Sequence, residues 1–307
     1  MESIMAYRKS ARKFSKLLWS FFRAMLFIGL GFVLLYPIIY MLSVAFRPVE
    51  QMSDPSVIWI SKSFTLNNFK EVFQVMDMPR TFFNSVIISI VSAMLQVMSC
   101  TLTGYALARF KLKESGIVFF IVLFSIIVPM QTLTVPTYLT FKNFSFFGLF
   151  PVNLLNTMGV YFLPAALGMG LKSGLFIFVL RQSFKGLPTE LEEAAKLDGC
   201  GVFGTFIRIM IPLSVTTMLT IFIFSVVWHW NDYYYGTMYM SGIKTLATSL
   251  ANLQMSLKSI GIEIFDPFEL VTRLQSGSFV LIVPVLTLYI FIQKKFVEGV
   301  ERTGITG

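Results

Sequence analysis

Six stretches of this chain are too apolar to face water, near 20–46, 82–108, 116–140, 157–181, 212–233 and 277–293. A helix crosses about 30 Å of hydrocarbon with roughly 20 mostly apolar residues, so each stretch can span a bilayer. Composition points the same way: 55% hydrophobic residues, 33 Phe and only 13% charged residues give too little polar surface for a water-soluble globule of 307 residues. The sequence therefore predicts an all-α integral membrane protein with six transmembrane helices. Pro129, Pro136 and Pro164, with Gly168, Gly170 and Gly174, interrupt the third and fourth stretches and predict broken or kinked helices. Broken backbone is tolerated at membrane depth only where protein or a water-filled cavity satisfies the freed groups, which points to a transporter.

Lys and Arg are unevenly divided between the two sets of loops. One side carries sixteen, on the N-terminal tail, 109–115, the 181–211 loop and the C-terminal tail; the other carries eight, and Lys172 alone lies within a stretch. The positive-inside rule makes the richer side cytoplasmic, which predicts both termini there. The formal net charge of +9 then reports topology and attraction to anionic lipid, and nucleic acid is not an expected partner. Met1–Lys16 resembles the basic start of a signal peptide, but the apolar run behind it is too long and lacks an Ala-x-Ala site, which predicts an uncleaved first span.

Several catalytic chemistries drop out on residue counts. Cys100 falls in the second span and Cys200 in a cytoplasmic turn, so no disulfide joins them, and a single histidine, His229, cannot build a histidine metal cluster. The nearest approach to a phosphate loop is Gly168 to Ser173, which has Leu171 where glycine must precede the lysine and lies inside a span. Any ATP must therefore be bound by another subunit, with no cofactor held by this chain.

Against this background, Leu187 to Gly199 is a charged helix-and-turn signal on which something soluble must dock. Pro188 suits a first helical position, Glu190, Glu192 and Glu193 sit in the first turn where the helix dipole favours carboxylates, and Gly199 suits a left-handed cap. A second short helix is predicted from Val202 to Met210, with Phe203, Phe206, Ile207 and Met210 on one face, until Pro212 interrupts it. A membrane-surface helix would want Lys and Arg on its polar face, whereas this element offers acids.

Inside the spans, Thr81, Ser85, Ser89, Ser92, Gln96, Ser99 and Thr103 are spaced 4, 4, 3, 4, 3, 4. At about 100° per residue they fall within roughly 40° of one line on a helix. Such a stripe serves either close helix packing or a water-lined pathway; on the second reading Gln96 and Ser89 meet the solute. Lys172 sits about 13 Å from the cytoplasmic edge, where an ammonium costs on the order of 3 kcal/mol, so it faces a cavity or a subunit, or snorkels to a carbonyl. Trp228, Trp230, Tyr233, Tyr234, Tyr235 and Tyr239 read as an interfacial belt or as sugar-stacking rings, and Asn231 and Asp232 as outer-gate or helix-end groups on the solute pathway.

Glu193-Ala194-Ala195, Asp198-Gly199 and Ile209-Met210-Ile211-Pro212-Leu213 resemble the cytoplasmic signature of membrane subunits of binding-protein-dependent ABC importers. Phe83-Asn84-Ser85, the run from Gly104 to Phe110, Trp230-Asn231-Asp232 and the tail from Gln293 to Gly307 are similar to the carbohydrate branch, which includes the smaller membrane subunit of the maltose importer. Two positions depart from that pattern: Cys200 stands where a small Ala or Ser is usual, and Thr306 where a Lys is common.

The resemblance implies a type I ABC importer permease fold in a bacterial cell membrane, paired with a second related permease subunit as a heterodimer. Two ATPase subunits would bind ATP and Mg, and an extracytoplasmic solute-binding protein would deliver a carbohydrate; the same architecture importing glycerol phosphate is the alternative. It implies a coupling helix in which Glu190, Glu193, Ala194, Ala195, Asp198 and Gly199 meet an ATPase subunit, Glu193 pairing with a basic residue and the alanines allowing close approach. The chain then divides into a basic tail 1–19, a permease domain 20–298 and a tail 299–307. The coupling loop is 183–211, and the external loops 47–80 and 234–276 offer docking surface to the binding protein. A self-sufficient secondary transporter would show acids within its spans and an internal repeat, and neither is visible.

Overall fold

A computed structural model describes residues 2–304 apart from 58, 111–112, 147 and 263–265. Thr306 and the end of the predicted C-terminal tail lie outside the described residues. Among the described residues four helices are long and apolar enough to cross a membrane, in the segments Ser15–Ala45, Met78–Arg109, Val202–Asn231 and Pro267–Phe291. The first belongs to α1 (Glu2–Ala45) and the last to α14 (Pro267–Gly304), so helix continues through most of what the sequence reads as tails.

The six-helix expectation needs correction at the third and fourth stretches. The third is α4 (Ser115–Ile127) followed by a short 3-10 turn and α5 (Thr134–Lys142), bent by 103° where Val128 and Pro129 are extended. The fourth is two short helices, α6 (Gly159–Ala166) and α7 (Ser173–Lys185), with Gly168 at φ +72° and Lys172 at φ +62° between them. Proline lacks the N–H that helix continuation needs, and left-handed residues turn the chain out of a right-handed helix. The chain is not wholly α either: Phe144–Phe146 (β1) pairs antiparallel with Leu149–Val152 (β2).

The structure divides into two compact units. One comprises Met1–Val72 with Glu263–Val280. Within it Phe46, Phe69 and Phe279 cluster ring on ring, Asn68 Nδ2 donates to the Ala45 and Arg47 carbonyls at 3.1 and 3.0 Å, and Arg273 meets Glu71 at 2.6 Å. The 47–80 loop holds a short helix, α2 (Asn67–Val75), led in by Thr65 Oγ1 accepting from the Asn67 N–H at 3.1 Å.

The other unit, Phe73–Ile262 with Leu281–Gly307, is built around α3 (Met78–Arg109). This helix packs against α6, α7 and α10 (Ile211–Asn231). A buried apolar cluster joins α3, α7 and α10, including Val97, Tyr105, Leu180, Phe184, Met210 and Ile221. Gly104 makes the α3–α7 approach possible, because a Cβ there would lie 2.8 Å from Leu180 Cβ. The 234–276 loop contains α11 (Tyr234–Tyr239), α12 (Leu246–Ala251) and α13 (Leu253–Ser259), and α14 begins within it.

Pro212 does not end the helix before it. The chain runs from α9 (Val202–Thr205) through a π turn at Phe206–Met210 into α10, with Pro212 in the first turn of α10 where its missing N–H is harmless. The wider turn also splits the expected apolar face: Phe206 and Met210 are buried, whereas Phe203 and Ile207 are exposed.

Candidate functional site

The charged helix-and-turn forms α8 (Glu190–Leu197). It starts later than Pro188 suggests, because Thr189 is the N-cap and Pro188 precedes it. At the other end Gly199 adopts φ +78°, its N–H reaching the Lys196 carbonyl at 3.1 Å and the Cys200 N–H reaching Ala195 at 2.8 Å. These are the paired bonds of a Schellman cap, which satisfy carbonyls the helix end leaves open. A Cβ at Gly199 would meet nothing within 4 Å, so conformation alone selects glycine.

The acids of α8 face two ways. Glu192 turns inward and pairs with Arg109 at the end of α3, Oε1 to Nε 2.8 Å, with the two side chains 13% and 8% exposed. Arg109 Nη2 also donates to the Leu187 carbonyl at 2.7 Å. Glu190, Glu193, Ala194 and Leu197 follow the i, i+3, i+4, i+7 spacing of one helix face, and all are exposed. Neither Glu190 nor Glu193 has an ion-pair partner among the described residues. Ala195 packs inward, so it serves the chain's own packing and not an outside approach, while Asp198 is exposed at the C-cap. Cys200 is half-buried and unpaired, and contributes its backbone N–H to the cap.

The polar stripe on α3 faces the break in the fourth stretch. Gln96 is fully buried; its Nε2 donates to the Leu171 carbonyl and to Ser173 Oγ, both at 2.7 Å, and its Oε1 accepts from Ser225 Oγ of α10 at 2.6 Å. Ser99 Oγ donates to the Ala165 carbonyl at 2.6 Å. Leu171 and Ala165 flank the interruption between α6 and α7, so the stripe supplies the donors that broken backbone at membrane depth requires. Ser85 Oγ accepts from the Leu246 N–H at 2.9 Å, and Ser89 returns its hydroxyl to the Ser85 carbonyl at 2.7 Å. Ser92 is buried with its hydroxyl unpaired. Of the two roles open to the stripe, this geometry is packing, and Gln96 and Ser89 present no exposed surface to a solute.

Lys172 occupies the break itself. Its φ of +62° is uncommon for a residue with a side chain, and its ammonium lies 4.8 Å from the centre of the Trp228 ring. It makes no ion pair with any described residue. The lysine lines a cavity of about 620 Å³, together with Thr137, Phe141, Met169 and Tyr235. Mostly apolar walls with one cation can hold a small solute or a segment of a larger one.

Asp232 is a helix-end group. It accepts from Tyr161 Oη at 2.6 Å and from the Tyr235 and Gly236 N–H groups at 3.4 and 3.3 Å, fixing the start of α11. Asn231 is exposed and donates back to the Val227 carbonyl at 3.0 Å. The nearby aromatics do not form one belt: Trp230 and Tyr239 are buried, Trp230 bonding the Leu281 carbonyl at 3.0 Å, whereas Trp228 and Tyr233 are exposed. His229 is buried, its Nδ1 2.8 Å from the Ser225 carbonyl.

Sequence reading missed the pairing of Arg109 with Glu192. The available signal was angular: on a helix, Glu192 lies about 200° from Glu190, off the face that Glu190 shares with Glu193.

The chain is similar to the arabinooligosaccharides transport system permease protein AraQ of Halalkalibacterium halodurans, 29% identical over 286 residues that cover 92% of this chain and 94% of that one. It is also similar to the probable starch degradation products transport system permease protein AmyC of Thermoanaerobacterium thermosulfurigenes, 29% identical over 78% of this chain and 81% of the relative. Its fold matches a chain of the crystal structure of a bacterial ABC transporter involved in the import of the acidic polysaccharide alginate, with a TM-score of 0.72, 19% identity and coverage of 92% and 98%. The sequence profile of one family matches residues 100–294, which include α8, its cap and most of the helices around it. The chain belongs to that family, the binding-protein-dependent transport system inner membrane components.

Proposed function

We propose that this chain is the permease subunit of an ATP-driven carbohydrate importer, without catalytic activity of its own. It forms half of a solute pathway with a related permease subunit, two ATPase subunits bind ATP and Mg, and a solute-binding protein docks on the 47–80 and 234–276 loops. Both termini and α8 lie on the cytoplasmic side. The carrying observation is the outward face of α8, where Glu190, Glu193, Ala194 and Leu197 stand exposed on a helix tied down at both ends. An acidic and apolar face of this kind fits a partner cleft with a basic rim, and Asp198 and Gly199 hold its far end. Family membership and permease relatives of saccharide transport systems support the same reading.

Lys172 and the exposed Trp228 beside it are the residues proposed to meet the solute, with Asn231 nearer the α10 end. A second reading, the same machine carrying an anionic solute such as glycerol phosphate, is favoured by one observation: Lys172 lines the cavity, and its ammonium has no carboxylate partner among the described residues. The test is ATPase stimulation of the complex in proteoliposomes with its binding protein, run against arabino-, malto- and uronate-containing oligosaccharides and glycerol phosphate. Stimulation by a saccharide supports the first reading, and stimulation by glycerol phosphate alone selects the second. Glu193→Lys is expected to abolish transport while the protein remains in the membrane. Normal transport in both Glu193→Lys and Gly199→Pro would remove α8 from the mechanism.

A further inference from the structure

Arg109 ends α3 with two groups of the α8 region gathered on it. Its guanidinium meets Glu192 at 2.8 Å and the Leu187 carbonyl at 2.7 Å, so both the lead-in to α8 and its first turn hang on one side chain. The pair is largely shielded from water, its side chains 8% and 13% exposed, where an ion pair is screened far less than at a surface. The rings of Tyr105, Phe184 and Phe206 pack beside this end of α3, Tyr105 lying 5.5 Å and 4.7 Å from the other two. Arg181 of α7 donates to the Leu107 carbonyl at 3.2 Å, fastening the neighbouring helix to the same turn.

The other end of the lever is equally specific. α3 is one unbroken helix from Met78 to Arg109, and it carries Gln96 and Ser99, which hold the broken fourth stretch through the Leu171 and Ala165 carbonyls. At 1.5 Å per residue, Arg109 lies roughly 20 Å along the axis from Gln96. A displacement of α8 that keeps the ion pair must carry α3 with it, and with α3 the backbone beside Lys172.

From this geometry we infer that Arg109 is a positioning residue, which clamps α8 to α3 through Glu192 and passes the movement of α8 to the Lys172 break. The inference rests on the coupling reading of α8. Arginine suits the position because its planar guanidinium can set its charge beside the Glu192 carboxylate while Nη2 donates to the Leu187 carbonyl, which a lysine ammonium on a flexible stem does poorly.

The experiment uses the assembled complex with its partner permease and ATPase subunits. Cys100 and Cys200 are first replaced by serine, and spin labels are placed at the exposed positions Lys196, on α8 but off its outward face, and Leu102, on α3. With the clamp intact, the distance between labels stays narrow and changes by less than about 2 Å when Mg-ATP and vanadate are added, the scale of an ordinary helix shift. Arg109→Glu and Glu192→Arg each broaden the distribution, and the double reversal Arg109→Glu with Glu192→Arg narrows it again. That rescue separates positioning from loss of fold, and the thermal midpoint of each complex checks assembly. A narrow distribution in both single variants, or a double variant no narrower than the singles, overturns the inference. Glu193→Lys and Gly199→Pro in the same series test the reading beneath it: if both variants keep the ATPase subunits bound and transport normally, coupling through α8 fails whatever the label distances show.

Discussion

Glu193 on α8 and Gln96 on α3 are both polar side chains in an oily protein, and the structure treats them in opposite ways. Gln96 is fully buried and bonds three groups of its own chain, whereas Glu193 is exposed with no ion-pair partner among the described residues. The first is explained entirely from within, because interrupted helices leave carbonyls that need donors. The second is not, and the function proposed above gives that carboxylate to a partner subunit. Polar residues in a membrane subunit therefore divide by whether their bonds close inside the chain.

Changes on the buried side of this contrast should act on stability first. The largest effect is expected at Gly104, where a side chain would sit 2.8 Å from Leu180 Cβ and 3.1 Å from the Arg181 backbone nitrogen. Gly104→Val should destabilise the purified subunit by about 3 kcal/mol through overpacking, seen as a lower thermal midpoint in detergent. An unchanged midpoint would mean that α3 and α7 are not in backbone contact.

Gln96→Leu comes next. It leaves the Leu171 carbonyl and two serine hydroxyls without their amide partner, and a loss of about 2 kcal/mol is expected from three intramembrane hydrogen bonds. The same variant sharpens the comparison, since a solute-contact role predicts altered solute selectivity at normal stability, and a brace predicts the reverse. Gly199→Ala is the mildest. The space is open but the backbone is left-handed, so about 1 kcal/mol of local strain is expected, and Gly199→Asn should recover part of it. Hydrogen exchange confined to the end of α8 would show the loss, and equal protection in all three proteins would discount the cap.

Much of the site was legible beforehand because it depends on local rules. The cap at Gly199, the acids in the first turn of α8 and the breaks near Pro129 and Gly168 follow from φ preferences, helix dipoles and missing donors within a few residues. The π turn before Pro212 was not legible, since a proline that ends one helix and a proline that opens the next look alike along the chain. Nor was the inward turn of Ala195, which depends on what α8 packs against.

Apolar length and spacing alone determined that this chain lives in a bilayer, that a stripe of hydroxyls and Gln96 runs down one face of α3, and that the fourth stretch is interrupted. Tertiary structure alone decided that the stripe faces the interruption, that Glu192 belongs to Arg109, and that Glu190 and Glu193 have no ion-pair partner among the described residues. The division has a physical cause. Periodicity and backbone preference act over a few residues, whereas a hydrogen bond or ion pair closes only when packing brings two distant segments within about 3 Å.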